Sequence, residues 1–274
     1  MTETNGRSAL PAFVHFYDGS SPGVLKLEEM ASFLKTMIPD IHVDIRKDFL
    51  LHWCEASGGE DSWKDRIAKN LACARVRTPS GHDETGKSLP GEVAFEFRFI
   101  TSGGRKPCGI LYGGYRLIEI YAAVLPPQEV DPVHCHIALT NQLFGTRDKG
   151  DLRYHARVAV YGIPSIISTA GIVEGPARPR EFYIGLGLGA GREDLEKQLE
   201  SRFLEPGDSR IQEALKGYVM QALFYHMTGN PFCEDKACRL FNAHWQEDLI
   251  HAQIEPGAGL CEKHHRFLEK WSCG

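Results

Sequence analysis

The apolar positions in the first part of the chain change between the spacing of strands and the spacing of helices. Residues 11–17 are mostly apolar and predict a strand, and apolar residues then recur at helical spacing over 25–38. Apolar and polar residues alternate over 41–45, which predicts a second strand. A helix is expected over 61–74. The order strand, helix, strand, helix is typical of an α/β fold.

The middle of the chain predicts further strands. Phenylalanine stands at every second position over much of 93–100, and this alternation predicts a half-buried strand. Two more strands are expected over 133–140 and 155–161. The stretch 141–151 between them is rich in turn-forming residues and predicts a loop, whereas 109–125 fits a strand or a helix equally well.

Helices dominate the pattern in the last third. A single apolar face over 211–227, followed by Gly229 and a proline, predicts the clearest helix of the chain. Further helices are expected over 192–203, 239–253 and 261–271. The sequence therefore predicts a mixed α/β (α+β) fold with a mixed sheet, closed by a helical C-terminal segment.

Length and composition narrow the class of protein. The chain has 274 residues, of which 42% are hydrophobic, and it shows neither repeats nor a linker. We predict a single domain over 1–274, with no role assigned to 1–130 and the candidate chemistry in 131–274. A net charge of −5 gives no indication of a nucleic-acid-binding surface. No apolar run approaches the ~18 residues of a membrane span, and the polar N-terminus does not resemble a signal peptide, so we expect a cytoplasmic protein. The sequence does not indicate an oligomeric state.

Four residues near the C-terminus have the spacing of a zinc site. Cys233 and Cys238 form one close pair, and Cys261 and His264 form another roughly two dozen residues later. Two such pairs are what a tetrahedral zinc site needs, and the site in the segment 233–264 would then fasten the last helix to the helix over 211–227. A closed site of four ligands would be structural. His265 or His244 could replace His264 as the nitrogen ligand, and buried thiols that bind no metal are the ordinary alternative.

The helix before this segment resembles a degenerate zinc-protease motif, H-E-x-x-H-x-x-G-x-x-H. In that motif two His at i and i+4 bind zinc, the Glu activates the metal-bound water, and the Gly turns the chain so that a third His can bind. In this sequence only His226 and Gly229 match. Ala222, Leu223 and Phe232 stand where the first His, the Glu and the third His would be. A lone His on an apolar helix face is more often a hydrogen-bonded core residue.

The degenerate motif and the cysteine–histidine segment that follows it together resemble the pattern of the archaemetzincin family, zinc proteases common in archaea. In that family a Cys directly follows the protease motif, then C-x4-C-x-M and C-x2-C, and this second set binds another zinc. Here Leu240 replaces the Met and His264 replaces the last Cys. Residues 137–145 are also similar to the strand and loop before that family's active helix. The resemblance covers roughly 130–270 and implies a metzincin-like second half in a divergent archaeal metallopeptidase with a peptide or protein substrate.

The resemblance also implies that the usual catalytic set is degenerate, because a single His cannot hold a catalytic zinc and Leu223 cannot accept a proton. One hypothesis is a zinc metallopeptidase that is inactive or uses a rearranged site of His226, His244 and Glu247. His244, Glu247 and His251 are expected on one helix face, for which a solvated face is the ordinary interpretation. A second hypothesis is a non-enzymatic protein that holds a peptide or protein segment in a protease-like cleft. A third is a different metal-dependent hydrolase.

Three other patterns are weaker. His134 and His136 point to one side of a strand, which suits a metal, although strands commonly carry such pairs without one. The glycine-rich stretch 185–191 matches no phosphate-binding motif and predicts a flexible connection. Five charged residues near a turn predict a solvated loop: Arg147, Asp148, Asp151, Arg153 and His155.

Overall fold

The computed structural model describes residues 11–20, 25–78, 87–102 and 109–272. Within these ranges the strands are β1 (Phe13–Gly19), β2 (His42–Lys47), β3 (Leu111–Gly113), β4 (His134–Thr140), β5 (Leu143–Thr146), β6 (His155–Arg157), β7 (Ala159–Val160) and β8 (Ser165–Ser168). The helices are α1 (Leu27–Met37), α2 (Phe49–Ala56), α3 (Asp61–Cys73), α4 (Pro90–Ser102), α5 (Gly114–Ala122), α6 (Thr169–Glu174), α7 (Arg180–Gly187), α8 (Arg192–Gln198), α9 (Ile211–Thr228), α10 (Gln246–Gln253) and α11 (Glu262–Ser272). Short 3-10 turns span Pro127–Glu129 and Glu200–Arg202.

A five-stranded sheet in the order β2-β1-β4-β8-β7 organises the molecule. Its first four strands are parallel, and β7 runs antiparallel to β8 at one edge. The register places His15 of β1 between Asp44 of β2 and His136 of β4. A smaller sheet has the order β3-β5-β6. The prediction of a mixed α/β fold with a mixed sheet is confirmed.

Helices cover both faces of the larger sheet, because successive strand residues point to opposite sides. On one face Phe16 and Ile137 are buried in a core that includes residues of α1, α6 and α9. On the other face Tyr17 and Ala138 belong to a second core, to which α2, α3, α4 and α5 contribute. None of the helices that the structure describes combines the length and the apolar character needed to cross a bilayer.

The predicted strand over 93–100 is wrong, because this segment lies in the helix α4. Val93, Phe97 and Ile100 follow one another at helical spacing and pack against the second core. Glu96 is fully buried and accepts hydrogen bonds from Arg75 and Tyr112. The alternating phenylalanines therefore reflect a helix whose apolar residues extend beyond its buried face.

Two predictions in the last third need correction. The helix expected over 239–253 begins only at Gln246, since the residues before it bond to other segments: Ala177 bridges to Trp245 and Cys233 bridges to Phe241. The glycine-rich stretch 185–191 is not simply a connection, because α7 extends to Gly187.

The middle of the chain also differs in detail from the expectation. The predicted loop 141–151 contains β5, and the predicted strand 155–161 is divided between β6 and β7, which belong to different sheets. The ambiguous stretch 109–125 contains both β3 and α5. The short strand β8, at 165–168, was not predicted. Such short strands are set by their partners rather than by their own pattern.

Candidate metal centre and adjacent cleft

The two pairs of candidate ligands meet beside the C-terminal end of α9. Gly229 ends this helix with a left-handed backbone (φ 73°), and the chain then turns towards Cys233. Cys238 follows a turn in which its N–H donates to the carbonyl of Asp235. Cys261 and His264 lie at the start of α11, and the ligand atoms of all four side chains lie within 4.8 Å of one another. We call Cys233, Cys238, Cys261 and His264 the thiol–histidine group.

The donor atoms of the thiol–histidine group face one another. The sulfur atoms of Cys233 and Cys261 are 3.9 Å apart. The Nδ1 of His264 lies 3.0 Å from the sulfur of Cys261 and 3.7 Å from that of Cys238. His264 is buried against the ring of Phe224, whereas His265 is exposed. The structure therefore brings together the four residues named from the sequence, with His264 in the nitrogen position.

Burial governs the ionisation of the group. It raises the pKa of the Cys233 thiol, raises that of Cys238 to about 12, and lowers the pKa of His264. Backbone N–H groups of Asp235 and Cys261 each donate to a thiol sulfur at 3.4 Å. These thiols need a nearby positive charge to become thiolates, and the neutral imidazole already has the form of a metal ligand.

A cleft of about 430 Å³ lies beside α9 and the chain that follows it. Helix α9 lines it with Tyr218, Gln221 and Tyr225. Gln221 is buried, accepts a hydrogen bond from Tyr161 at 2.5 Å and donates to the carbonyl of Phe241 at 3.0 Å. It therefore connects the cleft to the segment that carries Cys238.

One end of the cleft is aromatic. The ring of Tyr161 lies 5.9 Å from that of Tyr225 and 5.8 Å from that of Phe232, measured between centroids. Burial raises the pKa of Tyr161 and of Tyr218, so both hydroxyls stay protonated at neutral pH. Phe232 directly precedes Cys233, which places the thiol–histidine group immediately behind this end of the cleft.

The positions of the degenerate protease motif do not converge in this cleft. Ala222 and Leu223 are fully buried in the first core. His226 lies on the last turn of α9, where its Nε2–H donates to the carbonyl of Pro132 at 2.9 Å. Phe232 lines the cleft, but its ring carries no donor for a metal. The residues of α9 that line the cleft are Tyr218, Gln221 and Tyr225. The sequence did not indicate them, because they lie next to the motif positions and not at them.

The expected helix face of His244, Glu247 and His251 is wrong, because His244 precedes the start of α10. His244 is exposed and lines the cleft. Glu247 accepts hydrogen bonds from Arg202 at 2.5 and 2.8 Å, and His251 pairs with Glu255. Across the described parts of the chain, the groups with metal-ligand geometry do not include His226, His244 or Glu247.

A second group of candidate ligands lies on the face of the sheet that is covered by the second core. Ligand atoms of His15, Glu129 and His136 lie within 4.8 Å of one another. The Nε2 of His136 donates to the backbone carbonyl of Glu129 at 2.9 Å, and its Nδ1 accepts from the hydroxyl of Tyr17. His15 contacts His134 at 2.9 Å through its Nε2.

Arg46 holds the carboxylates of this second group. It donates to Glu129 at 2.7 and 3.2 Å and to Asp44 at 2.6 Å. Burial alone would raise the pKa of both carboxyls, but the hydrogen bonds from Arg46 outweigh it and lower both. Burial lowers the pKa of His15, and that of His136 to about 4. We call these residues the histidine network: His15, Tyr17, Asp44, Arg46, Glu129, His134 and His136.

The sequence signal for the histidine network was partial. His134 and His136 were recognised as a pair on one side of a strand. Polar residues at alternate positions of β1 and β2 belong to the same face, as the register of β1 with its two neighbours shows. Polar alternation in three adjacent strands would have indicated the whole network, but the order of the strands was not known from the sequence.

Comparison with known proteins identifies the family. The model of a probable metallopeptidase family matches residues 10–271. The chain belongs to this family. The predicted relationship to metallopeptidases is thus confirmed at the level of the family. Archaemetzincin from Methanopyrus kandleri is similar over the full length of both chains, with 11% identity and a TM-score of 0.46, a likeness too weak to transfer the role of any residue. A search of the curated proteins finds no match to the chain.

The family is described as one of probable metallopeptidases, so the groups with metal-ligand geometry are the first candidates for its site. Within the described residues, the thiol–histidine group and the histidine network are the two groups with suitable geometry. Among the described residues that line the cleft, His244 is the sole side chain with a strong metal donor.

Proposed function

We propose that this member of the probable metallopeptidase family uses zinc for structure and its cleft to bind a peptide segment, with a degenerate catalytic site. The observation that carries this proposal is which side of α9 faces the cleft. Its cleft-lining residues are Tyr218, Gln221 and Tyr225, while Ala222 and Leu223, at the motif positions of a ligand and the general base, are buried in the core. Hydroxyls and an amide bind peptide groups well but are poor ligands for zinc.

The thiol–histidine group fits zinc in donor type and spacing. Tetrahedral zinc with Zn–S bonds of about 2.3 Å and Zn–N bonds of about 2.1 Å separates two sulfurs by about 3.8 Å and a sulfur from a nitrogen by about 3.6 Å. The contact of 3.9 Å between Cys233 and Cys261 and that of 3.7 Å between Cys238 and His264 agree with this spacing, whereas the contact of 3.0 Å between Cys261 and His264 is shorter than it. When bound, the metal supplies a cross-link between three thiolates and an imidazole, with no open position for a substrate.

The cross-link would hold one wall of the cleft in place. Cys233 fixes the chain directly after Phe232, and Gln221 bonds to the carbonyl of Phe241 inside the loop that carries Cys238. Removal of the metal would therefore disturb both the aromatic end of the cleft and the packing of α11 against α9.

A strand edge beside the cleft could form main-chain hydrogen bonds with a bound peptide. Among the strands that the structure describes, β7 lies at the edge of the larger sheet and pairs with β8 alone, and its residues line the cleft. An extended segment can add to such an edge through main-chain hydrogen bonds while pockets select its side chains. This agrees with a family named for peptide hydrolysis, although binding alone needs no catalytic metal.

Metal stoichiometry combined with a peptide assay tests the proposal. We expect about one zinc per chain that survives dialysis, binding of extended peptides to the cleft, and no cleavage of them. Tyr225→Ala, which truncates a residue of the cleft wall, should weaken peptide binding without loss of zinc. Tyr183→Ala, an exposed tyrosine on α7, is the matched control.

A rearranged peptidase is the second candidate, because His244 lies in the cleft of a metallopeptidase-family protein. It requires a second, exchangeable metal and cleavage that stops in His244→Ala. A Glu247→Gln variant separates the two candidates further, since Glu247 bonds to Arg202 and should leave any cleavage unaffected unless it acts as a base.

A further inference from the structure

The lining of the cleft also contains a guanidinium group. Arg157, the last residue of β6, lines the cleft together with Tyr115 and Thr146. Its Nε donates to the hydroxyl of the buried Thr146 at 2.7 Å. A Cβ atom at Gly171 would clash with the carbonyl oxygen of Arg157, so α6 packs directly on this backbone. The packing positions the backbone of Arg157, and the hydrogen bond to Thr146 holds its side chain.

Arg157 has no acidic partner among the residues that the structure describes. Other partly or fully buried arginines do: Arg46 pairs with Asp44 and Glu129, Arg178 with Glu196, and Arg239 with Glu213. Among the described residues the half-buried guanidinium donates through its Nε to Thr146, and its terminal NH2 groups are not buried but accessible from the cleft. Its remaining donors suit a carboxylate, which can bind to them in a bidentate manner.

The other residues of the cleft do not balance the positive charge of Arg157. Among its described lining residues none is acidic, and Arg157 is the only one that carries a full positive charge at neutral pH. The chain as a whole has a net charge of −5, so a cationic cleft is not a consequence of composition. The nearby Asp148 accepts a hydrogen bond from the hydroxyl of Tyr115 at 3.1 Å and lies outside the lining.

We infer that the cleft selects a peptide segment with an acidic side chain, and that Arg157 binds its carboxylate. This inference rests on the proposed peptide-binding function. The acidic side chain would lie between Arg157 and Tyr115, and an apolar side chain of the same segment would pack against Tyr225 and Phe232 at the aromatic end. A segment with both an acidic and an apolar side chain would bind the guanidinium of Arg157 and cover the exposed ring of Phe232 at the same time.

A matched set of short peptides tests the inference. Two are capped at both ends, have the same apolar residues and differ only in a central Glu or Gln, and a third is the Gln peptide with a free C-terminal carboxylate. We expect the wild-type protein to bind the Glu peptide about tenfold more tightly than the Gln peptide, as measured by calorimetry, because the bond joins two charged groups. Arg157→Gln should abolish this preference, and Arg157→Lys, which keeps the charge without the bidentate geometry, should retain part of it.

Arg153→Gln is the control, since Arg153 is exposed and does not line the cleft. Zinc content and circular dichroism confirm that each variant folds. Equal binding of the two capped peptides, or a Glu preference that survives in Arg157→Gln, would overturn the inference while leaving peptide binding established. An Arg157-dependent preference for the free C-terminus instead would overturn the assignment to a side chain. If the wild-type protein binds none of the three, the proposed peptide-binding function itself fails, and the inference with it.

Discussion

The thiol–histidine group and the histidine network both place at least three metal-binding side chains within 4.8 Å of one another, but their donor atoms are occupied differently. In the histidine network, Glu129 already accepts two hydrogen bonds from Arg46, and both ring nitrogens of His136 are bonded. In the thiol–histidine group, the sulfurs contact one another, His264 and two backbone N–H groups. The polar groups of the histidine network are thus bonded to one another, whereas the donor atoms of the thiol–histidine group converge on a common point.

The difference shows that proximity of ligands is a weak criterion for a metal site. A cation entering the histidine network must compete with Arg46 for Glu129 and with hydrogen bonds for His136, and it must enter beside an existing positive charge. The rings of His15 and His136 are also stacked, with centroids 4.8 Å apart, so their lone pairs do not converge readily. The thiol–histidine group presents neither obstacle. We therefore expect one metal per chain, and the variants below test this asymmetry.

The largest effect is expected from Cys238→Ser, which removes a buried ligand of the thiol–histidine group. Structural zinc contributes about 10 kcal/mol or more to the folding of small domains, so the variant should lose its zinc and at least about 5 kcal/mol of stability in the C-terminal segment. Zinc analysis by mass spectrometry and thermal denaturation measure the two changes.

Cys54→Ser is the matched control for this variant. Cys54 is a buried thiol in the second core, away from the candidate ligands, so this change should cost about 1–2 kcal/mol and leave the zinc content unchanged. Full retention of zinc in Cys238→Ser would mean that the thiol–histidine group is not the metal site.

The sequence indicated the thiol–histidine group because its ligands occur as two close pairs, and local turns bring each pair together. It also indicated α9, whose apolar residues continue over many turns. The residues that line the cleft could not be predicted from such local patterns. Gln221 reaches it only because α9 packs against β4 and β8 of the larger sheet, and Arg157 lies on a strand of three residues whose position depends on its partner β5.

Errors in the prediction share a physical cause. The alternation over 93–100 predicted a strand, yet the burial of Glu96 with Arg75 and Tyr112 stabilises a helix there. His244 was placed in a helix because its neighbours favour one, but the backbone of His244 instead accepts a hydrogen bond from Ala177. In both cases a contact distant in sequence outweighs the local pattern.

A smaller effect, about 2–4 kcal/mol, is expected from Arg46→Met, which leaves Asp44 and Glu129 without their partner in a partly buried place. Urea denaturation measures this loss, and the zinc content should stay at one per chain. The variant also tests the histidine network as a metal site. If the network does bind metal, removal of the competing cation would raise the metal content to two per chain, contrary to our expectation.

Acidification should destabilise the histidine network by about 2–3 kcal/mol. The pKa of His136 is lowered to about 4 in the folded protein, against about 6.5 when unfolded. The unfolded chain therefore takes up the proton first, so this contribution is complete above pH 6.5 and is lost as the pH falls towards 4. His15, whose pKa is also lowered by burial, acts in the same direction.

Stability measured from pH 7.5 to 4.5 in wild-type protein and in His136→Gln isolates this contribution. Release of zinc in acid affects both proteins alike, so the difference between their slopes reports on His136. The variant should show the shallower dependence. Parallel curves would show that His136 is not held in its neutral form by the fold.

The smallest effect is expected from His265→Ala, which separates the two neighbouring candidates for the nitrogen ligand. His265 is exposed, whereas His264 is buried with its Nδ1 3.0 Å from the sulfur of Cys261. His265→Ala should therefore change stability by no more than about 0.5 kcal/mol and leave one zinc per chain. His264→Ala, its matched partner, should lose zinc as Cys238→Ser does. If the two variants behaved in the opposite way, the helix α11 would have to rotate to bring His265 to the thiols, and the ring of Phe224 would lose its contact with His264.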